Sequence, residues 1–149
     1  MRREGPDERG QRVPVIGMDY AFLGKDNEKT HPIIIARDSR IGCTFATWVP
    51  SKGATEPLVI KRILMFIDGL GYPEIIIKSD QENSIMAVQE AVKLRRKQST
   101  LLENSPVGES RSNGLTEKAV QEVTGMIRTF LDQAEDKLNA DKKEENKVM

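Results

Sequence analysis

Cysteine and histidine are almost absent from this sequence of 149 residues, which contains one of each, Cys43 and His31. A single cysteine cannot form a disulfide within the chain, and one Cys with one His cannot supply the four ligands of a structural zinc site. No apolar run approaches the roughly 20 residues of a membrane-spanning helix, and the first residues lack the apolar core of a signal peptide. We therefore expect a soluble intracellular protein that contacts no membrane.

An excess of charge of either sign is also missing. Lys and Arg together number 23, as do Asp and Glu, so the formal net charge is +0. Proteins that act on nucleic acids are often basic, so this balance argues modestly against that class, although local fields can differ from the mean. With 38% hydrophobic and 31% charged residues, the composition is globular, and the length suits one domain with its own core.

The two ends of the chain are polar. Residues 1–12 are charged and contain Gly and Pro, which predicts a disordered lead-in. Residues 139–149, NADKKEENKVM, predict a disordered charged tail. The segment between them, residues 13–138, is therefore expected to form the folded domain.

Three strands are predicted first, and helices then alternate with strands. Short turn sequences join the first three strands, which predicts hairpins and antiparallel neighbours. Crossover helices require strands one, four and five to be parallel, and strand one can then lie beside strand four. The expected fold is an α/β domain with a mixed five-stranded sheet flanked by helices, in the order β-β-β-α-β-α-β-α. In chain order these are strands 13–24, 32–38 and 43–49, helix 57–68, strand 74–79, helix 82–97, strand 99–105 and helix 115–138.

Two aspartates lie on strands one and four. Asp80 ends a strand that contains the apolar run Ile75 to Ile77, and Asp19 interrupts an otherwise apolar strand. Asp80 is also a common turn or helix-capping residue, and Asp19 could instead face solvent or pair with a Lys. If strands one and four are neighbours, the two carboxylates come close and repel each other. A divalent cation such as Mg²⁺, which prefers oxygen ligands, removes that conflict.

A third carboxylate, Glu117, lies in the first turn of the last predicted helix. Glu is common at such a position because its negative charge interacts favourably with the helix dipole, which is the alternative explanation for this residue. The segments GMDYAF, IIIKSDQENSI and SPVGESRSNGLTEKAV resemble the catalytic core of retroviral and retrotransposon integrases, within the ribonuclease H-like superfamily of polynucleotidyl transferases. That family carries an Asp, Asp, Glu motif whose last two members are separated by a gap in the mid-thirties. Here 36 residues lie between Asp80 and Glu117, and the resemblance covers about residues 13 to 135.

The resemblance implies a ribonuclease H-like fold in which Asp19, Asp80 and Glu117 are catalytic metal ligands. It implies two Mg²⁺ or Mn²⁺ ions in the active state, and DNA 3′-end processing and strand transfer during DNA integration. Two ions can activate the attacking oxygen and stabilise the leaving one, so no nucleophilic side chain is needed. Cys43 lies in an apolar predicted strand, so we expect it to be a buried packing residue and not a reactive thiol.

DNA is therefore the expected partner, with Arg111, Asn113 and Lys118 as its contacts, and a homodimer or higher oligomer is a further expectation. The localisation would be nuclear for an active eukaryotic protein. One departure from the family is Gln81-Glu82, where many members have Asn-Gly or a similar pair after the second Asp. Two alternatives stay open: an inactive domesticated core that binds nucleic acid or dimerises, and an unrelated α/β domain in which Asp80 merely caps a helix.

Overall fold

A computed structural model of the chain describes residues 12–23, 32–105 and 110–148. Most of the predicted lead-in and all of the turn around His31 lie outside these residues, so those predictions stay predictions. Each predicted helix and strand is present, with bounds that differ by a few residues except at the last helix. The elements are β1 Val15–Phe22, β2 Pro32–Asp38, β3 Thr44–Trp48, α1 Pro57–Leu70, β4 Glu74–Asp80, α2 Asn83–Arg95, β5 Ser99–Ser105 and α3 Ser110–Val148.

The strands form one sheet in the order β3-β2-β1-β4-β5. The β1–β2 and β2–β3 pairs are antiparallel, and the β1–β4 and β4–β5 pairs are parallel. The predicted mixed five-stranded sheet, with strand one beside strand four, is therefore confirmed. The central strand is β1, with β2 and β4 on either side, and these three largely buried strands gain most from burial on both faces of the sheet.

Alternation along the strands separates the core into two layers. On one face, the larger apolar cluster packs α1 and α2 against the sheet. On the other face, a smaller cluster packs α3 against β1 and β2. The large cluster includes Met18, Tyr20, Ile34, Ile63, Ile77, Ile85 and Val88. The small cluster has Ala21, Ile33, Ile35 and Ala119 at its centre.

The last helix is longer than its sequence pattern predicts. It continues to Val148, so residues 139–148 are helical where a disordered tail is the prediction. No Gly or Pro follows Gly125, and Ala, Lys and Glu are good helix formers. From Arg128 to Lys147 every residue is exposed, because this part of α3 extends beyond the sheet. None of the helices, over the described ranges, combines the length and apolar character that crossing a membrane requires.

Cys43 departs from its expected environment. The residue precedes β3 and is exposed, so the prediction that it is buried is wrong. The reason is that β3 is the edge strand, and its amino-terminal end follows a surface turn. An apolar run therefore does not guarantee burial when its strand lies at the edge of the sheet.

A buried carboxylate, Asp38, anchors the end of the sheet opposite to the carboxyl ends of β1 and β4. It accepts hydrogen bonds from the backbone N–H of Arg40, Ile41 and Cys43, at 3.1, 2.9 and 2.6 Å, and from Tyr72 Oη at 2.6 Å. Burial acts to raise the pKa of Asp38, but these four hydrogen bonds lower it below its usual value. The anionic side chain is thus fully satisfied and ties the β2–β3 turn to the segment after α1.

We expect Asp38→Asn to lower the free energy of unfolding by about 2 to 4 kcal/mol, because a charged acceptor is lost and an amide N–H₂ would face other donors. Tyr72→Phe should cost about 1 to 2 kcal/mol, since the three backbone donors remain. Urea denaturation would measure both, with the exposed Asp132→Asn as the control that stays within about 0.5 kcal/mol of the wild type. Equal stability of Asp38→Asn and Asp132→Asn would contradict the anchoring role.

Candidate functional site

Asp19 and Asp80 lie on the same face of the sheet on neighbouring parallel strands, Asp80 as the last residue of β4 and Asp19 within β1. The last β1–β4 pair is Gly17 with Lys78, and the two aspartates stand two residues further along each strand. Because side chains alternate, both carboxylates share the face on which α3 packs. The predicted meeting of strands one and four thus gives the two acidic residues equivalent positions.

The electrostatic environment of Asp19 is unfavourable for its ionised form. The pKa of Asp19 is raised to about 6, first by burial and then by the negative charges of Asp80 and Glu82, against the lowering effect of a hydrogen bond from the Tyr20 N–H. The Tyr20 N–H donates to Asp19 Oδ1 at 2.8 Å, and the Lys52 ammonium gives a smaller stabilisation of the carboxylate. Asp19 is therefore a half-buried acid that lacks sufficient positive charge.

Asp80 also forms a turn, which was the alternative interpretation of this residue. Its Oδ1 accepts a hydrogen bond from the Glu82 N–H at 3.1 Å, which is a local Asx-type turn. The N-cap of α2 is Glu82 and makes no side-chain capping bond, so Asp80 is not the capping residue of that helix. The turn orients the Asp80 carboxylate without using it as a helix cap, and the charge of Asp80 raises the pKa of Asp19.

Glu117 lies on α3, which packs on the face that carries the two aspartates, but it is not grouped with them as a metal ligand among the described residues. It is exposed, and the preceding residue, Thr116, is buried against the sheet. A Cβ built on Gly17 would lie 2.4 Å from Thr116 Oγ1, so the glycine allows α3 to approach β1 two residues before Asp19. Within the described part of the chain, no three His, Cys, Asp or Glu side chains are grouped as metal ligands.

The sequence reasoning did not identify two charged residues, Lys52 and Glu82, that act on Asp19. Lys52, in the segment between β3 and α1, pairs with Glu82, whose Oε1 is 2.6 Å from Lys52 Nζ. This ammonium lowers the pKa of Glu82. The sequence signal for Glu82 was its place in the unusual Gln81-Glu82 pair after Asp80, whereas the isolated Lys52 offered none.

The predicted DNA contacts are only partly open to description. The side chains of Arg111 and Asn113 lie outside the described residues. Lys118 is exposed on α3, where its charge acts on Glu122. Glu122 in turn pairs with Arg37 of β2, which fastens the helix to the sheet near the site.

The donor set suits a hard divalent cation. Mg²⁺ is commonly held by one or two carboxylates, with water and a substrate phosphate filling the remaining positions. Asp19 and Asp80 supply two such carboxylates, and the unfavourable charge at Asp19 is of the kind that a bound cation relieves. The residues present therefore fit one cation held by two aspartates, and a second ion would need a further ligand such as Glu117.

Comparisons with known proteins find a similar solved structure but no protein that matches in sequence. No family model matches the chain, and no curated protein matches it in sequence. A chain in the cryo-EM structure of the simian T-cell lymphotropic virus intasome in complex with PP2A regulatory subunit B56 gamma is similar in fold, with a TM-score of 0.57 and 19% identity. The match covers 90% of this chain and 43% of that chain. An identity this low supports the fold alone.

We expect Gly17→Ala to destabilise the protein by about 1 to 3 kcal/mol, because the new methyl group would displace Thr116 and lift α3. Adding Thr116→Ala should recover most of this loss, since the nearest remaining atoms, 3.6 to 3.7 Å away, are in ordinary contact. Urea denaturation of both single variants and the double variant would measure the coupling. Strictly additive losses would show that the two residues do not meet.

The raised pKa of Asp19 should make the free energy of unfolding of the metal-free protein depend on pH. Its folded pKa of about 6 lies above the ordinary value of 3.8, so the folded state binds more protons between these values and loses stability as pH rises through them. Asp19→Asn removes this loss. We expect its free energy of unfolding relative to wild type to be about 1 to 2 kcal/mol greater near pH 7.5 than near pH 4.5, after allowance for solvent screening.

Denaturation in EDTA at the two pH values would measure this difference, with Asp132→Asn as the control for loss of a surface carboxylate. A difference between Asp19→Asn and wild type that is independent of pH would contradict the environment described for Asp19.

Proposed function

We propose that this chain is the catalytic core of a divalent-metal-dependent polynucleotidyl transferase of the ribonuclease H-like, integrase type, derived from a retroelement. The observation that carries the proposal is that Asp19 and Asp80 stand at equivalent positions of adjacent parallel strands, each two residues beyond the last β1–β4 pair and on one face of the sheet. Polar groups at that edge of a sheet converge on one site. A pair of half-buried carboxylates there has a chemical use when a cation binds between them.

The fold comparison supports the same proposal from an independent direction. The similar chain belongs to a viral intasome, and the resemblance of GMDYAF, IIIKSDQENSI and SPVGESRSNGLTEKAV is to integrase cores. Similarity of fold and similarity of short motifs therefore point to one family. DNA is the substrate that this family implies, and in a eukaryotic cell such an activity would act in the nucleus.

The residues of this chain would have distinct roles in the proposed reaction. Asp19 and Asp80 would hold the metal, and the Tyr20 N–H orients the Asp19 carboxylate. Glu117 would join them through a movement of its own side chain or of the first turns of α3. Bound Mg²⁺ or Mn²⁺ would supply Lewis-acid activation for phosphodiester displacement. Lys118, exposed beside Glu117, would contact a DNA phosphate.

A second candidate function is an inactive core that binds nucleic acid or dimerises. Two observations favour it: Glu117 lies apart from the aspartates, and α3 carries exposed large apolar side chains beyond the sheet. A helix face of this kind can pair with another polypeptide. Those side chains are Met126, Phe130, Leu131 and Leu138.

Metal binding separates the two candidates. We expect Mn²⁺ or Mg²⁺ to raise the melting temperature of the wild-type protein by a few degrees, as binding to the folded state requires. Asp80→Asn should abolish this shift, whereas the matched control Asp132→Asn, exposed on α3, should retain it. The absence of any metal response in the wild type would reject the enzyme in favour of the inactive core.

Catalysis is tested by nicking and joining of a short DNA duplex in the presence of Mn²⁺. We expect Asp19→Asn and Glu117→Gln each to reduce the rate at least about a hundredfold, because each removes charge stabilisation in the transition state. Asp132→Asn should match the wild type. A metal response with full activity in Glu117→Gln would exclude Glu117 as a ligand and leave the pair of aspartates.

A further inference from the structure

Two side-chain amides meet at the carboxyl end of β4, on the face of the sheet that α1 and α2 cover. Asn104 of β5 donates from Nδ2 to Oε1 of Gln89, a residue of α2, at 2.7 Å. Gln89 Nε2 donates to the backbone carbonyls of Ile77 and Glu103, at 3.0 and 3.3 Å. Helix α2 is therefore tied to both β4 and β5 close to Asp80, the residue that ends β4.

Gln89 is an unusual core residue because its side chain is polar and completely buried. It is 0% exposed, and the other buried residues of α2 are the apolar Ile85, Val88 and Val92. Its amide nitrogen and its amide oxygen are both used in the three hydrogen bonds described above, so burial leaves neither of them unsatisfied. An apolar side chain could fill the same space, so packing alone does not account for an amide here.

The contacts fix the direction of every hydrogen bond in this group. Gln89 Nε2 faces two carbonyl oxygens and must donate, so Gln89 Oε1 is the acceptor that faces Asn104. Asn104 Nδ2 is consequently a donor, and it also faces Ser79 Oγ at 3.1 Å and the Asp80 carbonyl oxygen at 3.2 Å. The buried Ser79 in turn donates from Oγ to the same carbonyl oxygen at 2.9 Å. The Asp80 carbonyl is thus the acceptor on which the group converges.

The hydrogen bonds to this carbonyl restrain the side chain of Asp80 from behind. Ser79 and Asn104 approach from the face that α1 and α2 cover, whereas the Asp80 carboxylate lies on the α3 face, because side chains alternate along β4. The peptide group is planar, so two donors to its oxygen restrain the backbone dihedral angles of Asp80 and with them the direction of its Cβ. The Glu82 N–H holds Oδ1 of the carboxylate at 3.1 Å. Asp80 is therefore fixed at both its backbone and its carboxylate.

We propose that Asn104, oriented by Gln89, is a positioning residue that holds the Asp80 carboxylate in the direction in which it binds a divalent cation. This inference rests on the proposed function, in which Asp80 is a metal ligand. Hydrogen-bonding groups behind a metal ligand orient it, and their removal commonly weakens metal binding by about ten- to a hundredfold. Asn104 acts here through the backbone of the ligand, so we expect an effect at the lower end of that range.

Direct Mn²⁺ binding, followed by the electron paramagnetic resonance signal of the free ion, tests the proposal. Asn104→Leu keeps the size of the side chain but removes the donor to Asp80, so it should weaken the dissociation constant for Mn²⁺ about tenfold. Ser79→Ala removes the second donor to the same carbonyl and should weaken the dissociation constant about threefold, as expected for one hydrogen bond. Asn139→Leu, on the exposed part of α3, is the matched control and should bind Mn²⁺ like the wild type.

A purely structural role of Asn104 is separated by a variant that loses stability elsewhere. Ile67→Val, in the core under α1, should melt at a lower temperature than the wild type but keep its dissociation constant for Mn²⁺. Asn104→Leu should change both quantities. Unchanged Mn²⁺ binding by Asn104→Leu and Ser79→Ala, at a temperature where both are folded, would show that the amides support only the fold, and would overturn the inference.

The same titration distinguishes this inference from the function on which it rests. Wild-type Mn²⁺ binding that Asp80→Asn abolishes and Asn104→Leu leaves unchanged would overturn the positioning role alone. If Asn104→Leu does not fold, Ser79→Ala decides the question, because it removes a single hydroxyl group. Absence of Mn²⁺ binding by the wild type would overturn the proposed function and this inference with it.

Discussion

The parallel pairing of β1 with β4 is the constraint on which the rest of the structure depends. Strand β1 is the centre of the sheet and β4 is its neighbour, and the apolar side chains of both strands are buried. Their register pairs Gly17 with Lys78 and so places Asp19 and Asp80 at equivalent positions two residues further on. Both aspartates lie just beyond the last paired residues, so the strand pair fixes the backbone from which the two carboxylates extend. Apolar burial therefore supplies the free energy that holds like charges together.

Two aspartates of this chain show how environment decides the role of one residue type. Asp38 is buried, but it receives four hydrogen bonds that stabilise its charge. Asp19 is less buried, yet it receives one backbone hydrogen bond from Tyr20 and faces the negative charges of Asp80 and Glu82. The first arrangement is complete within the protein and stabilises the fold. The second is incomplete, and a cation or a proton completes it.

Helix α3 connects the sheet to the candidate site. The close approach of Thr116 to Gly17 and the pairing of Glu122 with Arg37 fix its first half on β1 and β2. Glu117 is consequently held near the face of the sheet that carries the two aspartates, while its own side chain stays in solvent. The second half of α3 leaves the sheet, so its apolar residues, including Phe130 at 63% exposure, have no sheet beneath them.

The amino-acid sequence by itself determined the order of the elements, the mixed sheet and the adjacency of Asp19 and Asp80, because strand periodicity and crossover length are local properties of the chain. Only the tertiary structure decided which other charges join those aspartates. Lys52 comes from a segment with no distinctive pattern, and Asp38 and Cys43 owe their burial and exposure to their positions in the finished sheet. The length of α3 also differed from its pattern, since polar composition predicts solvent exposure but does not prevent a helix. Local patterns record backbone preference and burial, whereas the balance of charge at a site depends on residues that meet only after folding.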